Sequence, residues 1–94
     1  MIMMRMDWAE VTVEMYDEVR RLVNWEGDTP AGAVFHVAAA DADGMHVTDV
    51  WESAEQFQQF VDDRLMPGVK EVGLVTQPEV TIYPVHTIFA PAYA

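Results

Sequence analysis

The chain of 94 residues has room for one domain, and a chain this short buries only about 60 to 65 per cent of the surface that its unfolded form exposes. Sixteen acidic and five basic residues give a formal net charge of −11, which repels phosphates and anionic lipid headgroups and disfavours nucleic acid and membrane as partners. The lack of cysteine excludes disulfides and thiolate chemistry and fits a cytoplasmic location.

The first strand and helix are predicted close to the N-terminus. Ile2 to Trp8 places apolar side chains at its even positions and a mixed set at its odd positions, which is typical of a strand with one buried face. Charged residues interrupt its apolar run, so we expect a strand and not a signal peptide. Thr12 is expected to cap a helix that runs to about Asn24, with Tyr16 on its apolar stripe.

The next two strands are predicted to form a hairpin. Gly27 to Gly32 is a loop, a strand follows from about Ala33, and the Asp43-Gly44 step marks a tight turn. With a two-residue or four-residue turn, facing residues have an odd index sum, whereas a three-residue turn with a bulge would break this parity. One face then carries Val34, His36, Ala38 and Ala40 beside Met45, Val47, Asp49 and Trp51.

A second helix is predicted directly after this hairpin. Ser53 and Gln56 form a capping box, and the helix is expected to end at Met66, before Pro67. Pro67 can begin a further short turn that Gly73 ends. Its apolar stripe is spaced at i, i+3, i+4 and i+8 and consists of Phe57, Phe60, Val61 and Leu65.

A fourth strand is predicted over Glu79 to His86, and Pro84 places it at a sheet edge, because proline donates no ladder hydrogen bond. The order strand, helix, strand, strand, helix, strand predicts the α+β class with a ferredoxin-like βαββαβ fold, a four-stranded antiparallel sheet with two helices on one face. An uncovered apolar sheet face favours a homodimer, here a dimeric αβ barrel. We expect one domain over 1–94, with 87–94 as an apolar tail across the dimer interface.

The run V-W-E-S-x-E-x-F-x-x-F at Val50 to Phe60 resembles the strand-to-helix segment of the antibiotic biosynthesis monooxygenase superfamily of dimeric αβ barrels. That superfamily includes cofactor-free oxygenases that oxidise polyketide anthrones to quinones, haem-degrading enzymes and many small proteins of unassigned role. The resemblance implies the same fold, a cavity between the sheet and the helices, and oxygenase chemistry without a metal or any other cofactor.

The resemblance is partial at the positions that carry function in the superfamily. Trp51 matches the strand tryptophan of the anthrone oxygenases, but Val47 stands where they have asparagine and Phe57 where they have tyrosine. The catalytic tryptophan of the haem-degrading branch falls on Phe60 and its histidine on Lys70, so haem cleavage is disfavoured.

Candidate chemistry lies on the face that carries Trp51. His36 and Asp49 are predicted within reach of each other, where the carboxylate would fix the imidazole tautomer and leave the other ring nitrogen to exchange a proton with a substrate. For Trp51, packing against the second helix is the alternative to contact with a ligand. We predict His36 and Asp49 as catalytic residues, and as substrate-binding residues for a small apolar or aromatic ligand Trp51, Phe57, Phe60, Tyr16 and Val47.

An alternative arrangement gives these residues only a structural role. His36 is then a satisfied core histidine, and Asp49 pairs with Arg5 of the first strand. A three-histidine metal site is disfavoured because His46 is predicted on the opposite face and His86 near a strand end.

Three functions remain open from the sequence. The leading one is a cofactor-independent monooxygenase acting on a small aromatic or polyketide-like molecule. A lyase, cyclase or isomerase would use the same acid–base pair without oxygen. A ligand-binding or stress-related dimer would use neither the acid–base pair nor oxygen.

Overall fold

In the computed structural model, which describes residues 1–93, the chain forms a four-stranded antiparallel sheet with helices on one face. The sheet order is β2-β3-β1-β4, so β1 and β3 are central and β2 and β4 are edges. This confirms the α+β, ferredoxin-like class. The elements are β1 (Ile2–Ala9), α1 (Val13–Val23), β2 (Ala33–Asp41), β3 (Gly44–Trp51), α2 (Ala54–Phe60), a π-helical segment (Val61–Leu65), α3 (Met66–Val72), β4 (Glu79–Pro84) and a 3₁₀ turn (Pro91–Tyr93).

The buried face of the sheet is the one that the alternation of β1 predicts. Met4, Met6 and Trp8 are at most 6 % exposed and face the helices, whereas the odd residues of β1 face away from them. Thr12 caps α1 by accepting a hydrogen bond from the Met15 backbone N–H at 3.2 Å. The predicted cap and the predicted apolar face are therefore both confirmed.

The β2–β3 hairpin has a two-residue turn, and Asp41 lies opposite Gly44. The predicted parity holds along most of the hairpin, and His36 lies directly opposite Asp49. At the far end the prediction is wrong, because Val34 forms a bulge and Ala33, not Val34, lies opposite Trp51. An edge strand accommodates such an extra residue at low cost, since one of its sides has no partner strand.

The second helical region is continuous where a break at Pro67 was predicted, and it ends at Gly73 as predicted. Ser53 caps α2 as expected, but the helix does not end at Met66. It widens into the π-helical segment and continues as α3 to Gly73, which ends it in the left-handed conformation (φ 87°). Pro67 lies in the first turn of α3, where a missing N–H costs little, and the wide turn before it accommodates the proline ring.

The last strand lies at an edge of the sheet, as Pro84 predicts. It ends at Pro84 instead of His86, and the Val85 backbone N–H then donates to the Met1 carbonyl at 3.1 Å. Of the predicted tail 87–94, residue 94 lies outside the described residues, and docking of the tail across a dimer interface stays a prediction. Within residues 1–93, no helix has the length and apolar character needed to cross a bilayer.

Candidate functional site

A cavity of about 220 Å³ lies between the sheet and the helices, on the face that carries Trp51. Its floor includes Met4 and Val47, and its walls include Tyr16 and Phe57. Most of the lining is apolar, and Asp49 is its one carboxylate among the described residues. A cavity of this kind binds a small apolar ligand and orients it through a few polar groups.

Asp49 and His36 form a hydrogen-bonded pair at this cavity. Nδ1 of His36 lies 2.6 Å from Oδ1 of Asp49, and the Asp49 residue is only 6 % exposed. The other carboxylate oxygen accepts a hydrogen bond from Nε1 of Trp51 at 3.1 Å. The predicted contact is therefore present, and the indole N–H adds a donor that the sequence did not reveal. Two donors stabilise a carboxylate that burial would otherwise penalise.

The alternative prediction that Asp49 pairs with Arg5 is wrong. Arg5 lies at an odd position of β1 and faces the opposite side of the sheet, where it contacts Asp7 at 3.4 Å. Because β1 and β3 are paired with Met4 opposite Asp49, the Arg5 side chain is one pleat away from the cavity.

The second ring nitrogen of His36 forms a hydrogen bond with Tyr16 of α1. Its hydroxyl lies 2.6 Å from Nε2, and burial raises the pKa of Tyr16 to about 12. Since a carboxylate only accepts hydrogen bonds, Nδ1 of His36 donates to Asp49, and in the neutral imidazole Nε2 then accepts a hydrogen bond from the Tyr16 hydroxyl. Tyr16 occupies Nε2 in this arrangement, and proton exchange between His36 and a substrate stays a prediction.

Trp25 is a residue of the site that the sequence analysis missed. Its ring centroid lies 5.3 Å from that of His36 and 5.8 Å from that of Tyr16, and it lines the cavity. Asn24, which ends α1 in the left-handed conformation (φ 57°), turns the chain so that Trp25 covers the two rings. A tryptophan directly after a predicted helix end was the available signal.

The second helix supplies the remaining aromatic wall. Trp51 is 3 % exposed, and its ring contacts Phe57 at 5.7 Å and Phe60 at 5.4 Å between centroids. Trp51 therefore packs against α2 and also lines the cavity, so core packing and contact with a ligand are compatible for this residue. All five residues predicted to bind substrate line this cavity: Tyr16, Val47, Trp51, Phe57 and Phe60.

His46 lies on the opposite sheet face, as predicted. Its ring nitrogens lie 2.7 Å from Asp7 and 3.0 Å from Asp41. The hydrogen bond with Asp7, followed by that with Asp41, raises the pKa of His46, and the same contacts lower the pKa of both carboxyls. Among residues 1–93 no group of three or more histidine and acidic side chains has an arrangement that could hold a metal ion.

Comparison with known proteins gives structural neighbours only. No family model and no curated protein matches the sequence. The cofactor-independent oxygenase SnoaB from Streptomyces nogalater superposes with a TM-score of 0.62 at 13 % identity, covering 93 % of this chain and 92 % of that one. A Nitrosomonas europaea protein with a provisional assignment as an antibiotic biosynthesis monooxygenase gives 0.64 at 14 % identity, covering 90 % and 98 %. The chain therefore has the same fold as these two proteins.

The haem degrader MhuD from Mycobacterium tuberculosis also superposes, with a TM-score of 0.54 at 15 % identity over 94 % of this chain and 99 % of that one. The resemblance inferred from Val50 to Phe60 is thus confirmed as regards fold. Identities of 13 to 15 % carry no information on substrate.

Proposed function

We propose that the protein is a cofactor-independent monooxygenase that oxidises a small aromatic or polyketide-like molecule. The observation that carries this proposal is the pair formed by the buried Asp49 and the partly exposed His36 at the wall of a largely apolar cavity. A base in such a cavity can remove a proton from a substrate, and the buried carboxylate stabilises the imidazolium that results. The fold shared with SnoaB supports the same chemistry.

The reaction would need only the substrate and dioxygen. Loss of a proton from an activated CH₂ group, or from the hydroxyl of its enol tautomer, to the His36–Asp49 pair leaves the same carbanion (enolate), which transfers electrons to dioxygen and forms a carbon–oxygen bond. The resulting hydroperoxide takes up a proton and loses water, so CH₂ and O₂ become C=O and H₂O. The apolar walls formed by Trp51, Phe57 and Phe60 would keep bulk water from the carbanion.

Oxygen uptake with an anthrone tests this proposal. Wild-type protein should consume oxygen and form the quinone, and His36→Ala should reduce the rate by about 10² to 10⁴, the usual contribution of a positioned general base. His86→Ala is the matched control, because His86 is exposed and follows β4. Undiminished uptake in His36→Ala would exclude this role of His36.

A lyase, cyclase or isomerase is the second candidate, because the same base pair needs no oxygen. Turnover of the substrate under anaerobic conditions would favour it over the oxygenase.

The hydrogen bonds from Tyr16 through His36 to Asp49 also join α1, β2 and β3. A ligand-binding protein without activity would use them for stability alone, so that His36→Ala would lower the melting temperature and change no reaction.

We also propose that a second copy covers the outer face of the sheet, meaning the face turned away from the helices. Val37 is 48 % exposed there and Phe35 41 %, with Met3 and Val50 beside them. A chain of this size gains stability by burying such a surface against its own copy, which would also cover the edge strand β2 that carries His36. Light scattering of the purified protein measures the mass and tests for the dimer.

A further inference from the structure

We propose that the hydroxyl of Tyr16 is the catalytic group that contacts the substrate and passes the substrate's proton on to His36. This inference rests on the proposed function, since it specifies how the His36–Asp49 base receives a proton. Tyr16 was expected only to bind substrate. The structure gives it a position between the cavity and the base.

Both nitrogens of His36 are occupied before any substrate enters. Nδ1 is 2.6 Å from Asp49 and Nε2 is 2.6 Å from the Tyr16 oxygen. The rings of Tyr16 and His36 are nearly parallel (4°), and Trp25 packs against both. No ring nitrogen is left for a ligand, whereas the Tyr16 oxygen, which donates its proton to Nε2, keeps lone pairs that can accept a proton from a ligand hydroxyl in the cavity.

The transfer is balanced without a change of charge on Tyr16. The substrate hydroxyl gives its proton to the Tyr16 oxygen while the Tyr16 proton moves to Nε2. The products are a substrate anion, a neutral tyrosine and an imidazolium that faces the carboxylate of Asp49. Burial raises the pKa of Tyr16 to about 12, so a free tyrosinate is not populated and both protons must move together.

The charges around Tyr16 support this order of events. Arg20 is the nearby cation on α1, and it is engaged by Glu26 of the following loop through two hydrogen bonds. Asp17 on α1, Glu26 and Asp49 on β3 all disfavour a negative charge on the phenol oxygen. Arg20 opposes them, but its partner Glu26 offsets its charge. A tyrosine in this setting transmits a proton and does not store a negative charge.

The ionisation of a bound phenol tests the proposal independently of oxygenase activity. The probe is 4-nitrophenol, whose phenolate absorbs in the visible range. In wild-type protein the bound probe should ionise at least one pH unit lower than free probe, which corresponds to about a tenfold change in the equilibrium. Tyr16→Phe keeps the ring and its packing but removes the relay oxygen, so this shift should disappear while probe affinity stays within about threefold.

Tyr83→Phe is the matched control, because it removes a hydroxyl from β4, on the outer face of the sheet, and should keep the full shift. An unchanged shift in Tyr16→Phe would overturn the relay in favour of direct transfer to His36, and a wild-type protein that leaves the probe's titration unchanged would overturn it as well. A normal shift in a protein that consumes no oxygen with anthrone would instead refute the oxygenase and leave the relay standing.

Discussion

Replacing Asp49 by asparagine should reverse the chain of hydrogen bonds at the site while leaving its shape intact. The carboxylate now accepts from Nδ1 of His36 at 2.6 Å and from Nε1 of Trp51 at 3.1 Å. An amide has one accepting oxygen and one donating nitrogen, so it can accept from only one of the two. If the oxygen keeps the indole, the amide nitrogen donates to Nδ1, and His36 must carry its proton on Nε2, where it faces the Tyr16 oxygen.

The magnitude follows from the strength of the two bonds. A hydrogen bond to a charged group contributes about 1.5 to 3 kcal/mol and a neutral one about 0.5 to 1.5, so exchanging both bonds in Asp49→Asn should cost roughly 2 to 3 kcal/mol of unfolding free energy. The His36 side chain is 33 % exposed and water can replace part of its bond, which favours the lower end. Activity should fall by about 10² to 10⁴, because the basic nitrogen then points away from Tyr16.

Urea unfolding followed by tryptophan fluorescence measures the stability, and NMR of the ring nitrogens identifies the tautomer of His36. Asp49→Ala is the comparison variant, since it leaves the buried Trp51 N–H without an acceptor and should cost a further kcal/mol or so beyond the asparagine. An Asp49→Asn protein with full activity and a proton still on Nδ1 would refute the reasoning.

Three further predictions concern other parts of the chain. Gly44→Ala should cost at least about 2 kcal/mol in urea unfolding, because Gly44 has φ 146° and an added Cβ would lie 2.2 Å from a carbonyl oxygen of β1. His46→Gln should lower the melting temperature more at about pH 5 than at about pH 9: the contacts with Asp7 and Asp41 raise the pKa of His46, so its contribution is full below about pH 6.5 and is lost as the pH rises through the raised value. Val37→Asp should convert the proposed dimer to a monomer in light scattering, and an unchanged dimer mass would argue against the outer face as the interface.

Local patterns were enough to predict most of the fold. The alternation of β1, the caps at Thr12 and Ser53 and the Asp-Gly turn each act over a few residues, and each is present in the structure. The same turn fixed the register that brings His36 opposite Asp49, because strand side chains alternate strictly from the turn onwards. The bulge at Val34 breaks that alternation only beyond His36.

Features that depend on packing between distant segments were not predictable. Proline ends most helices, so the sequence predicted a break before Pro67 and a separate short turn up to Gly73, whereas α2 continues through Pro67. The bond between Tyr16 and His36 joins a helix to an edge strand 20 residues later, and no periodicity encodes such a distance. Trp25 lies in a loop, where the sequence shows no repeating pattern to indicate which way a side chain points.

The π-helical segment at Val61–Leu65 holds one residue more than an α-helical turn of the same height would hold. An α-helix advances about 100° per residue, so without this wide turn the extra residue would rotate α3 by roughly that angle and carry Val69, which is 2 % exposed, away from the core. Deleting one residue within Val61–Leu65 should therefore let the segment return to an α-helix with Val69 still buried. The same deletion within α2 should instead rotate the following helix and turn a charged neighbour such as Lys70 or Glu71 inward, so this segment is the place in the second helical region where a change of length is best tolerated.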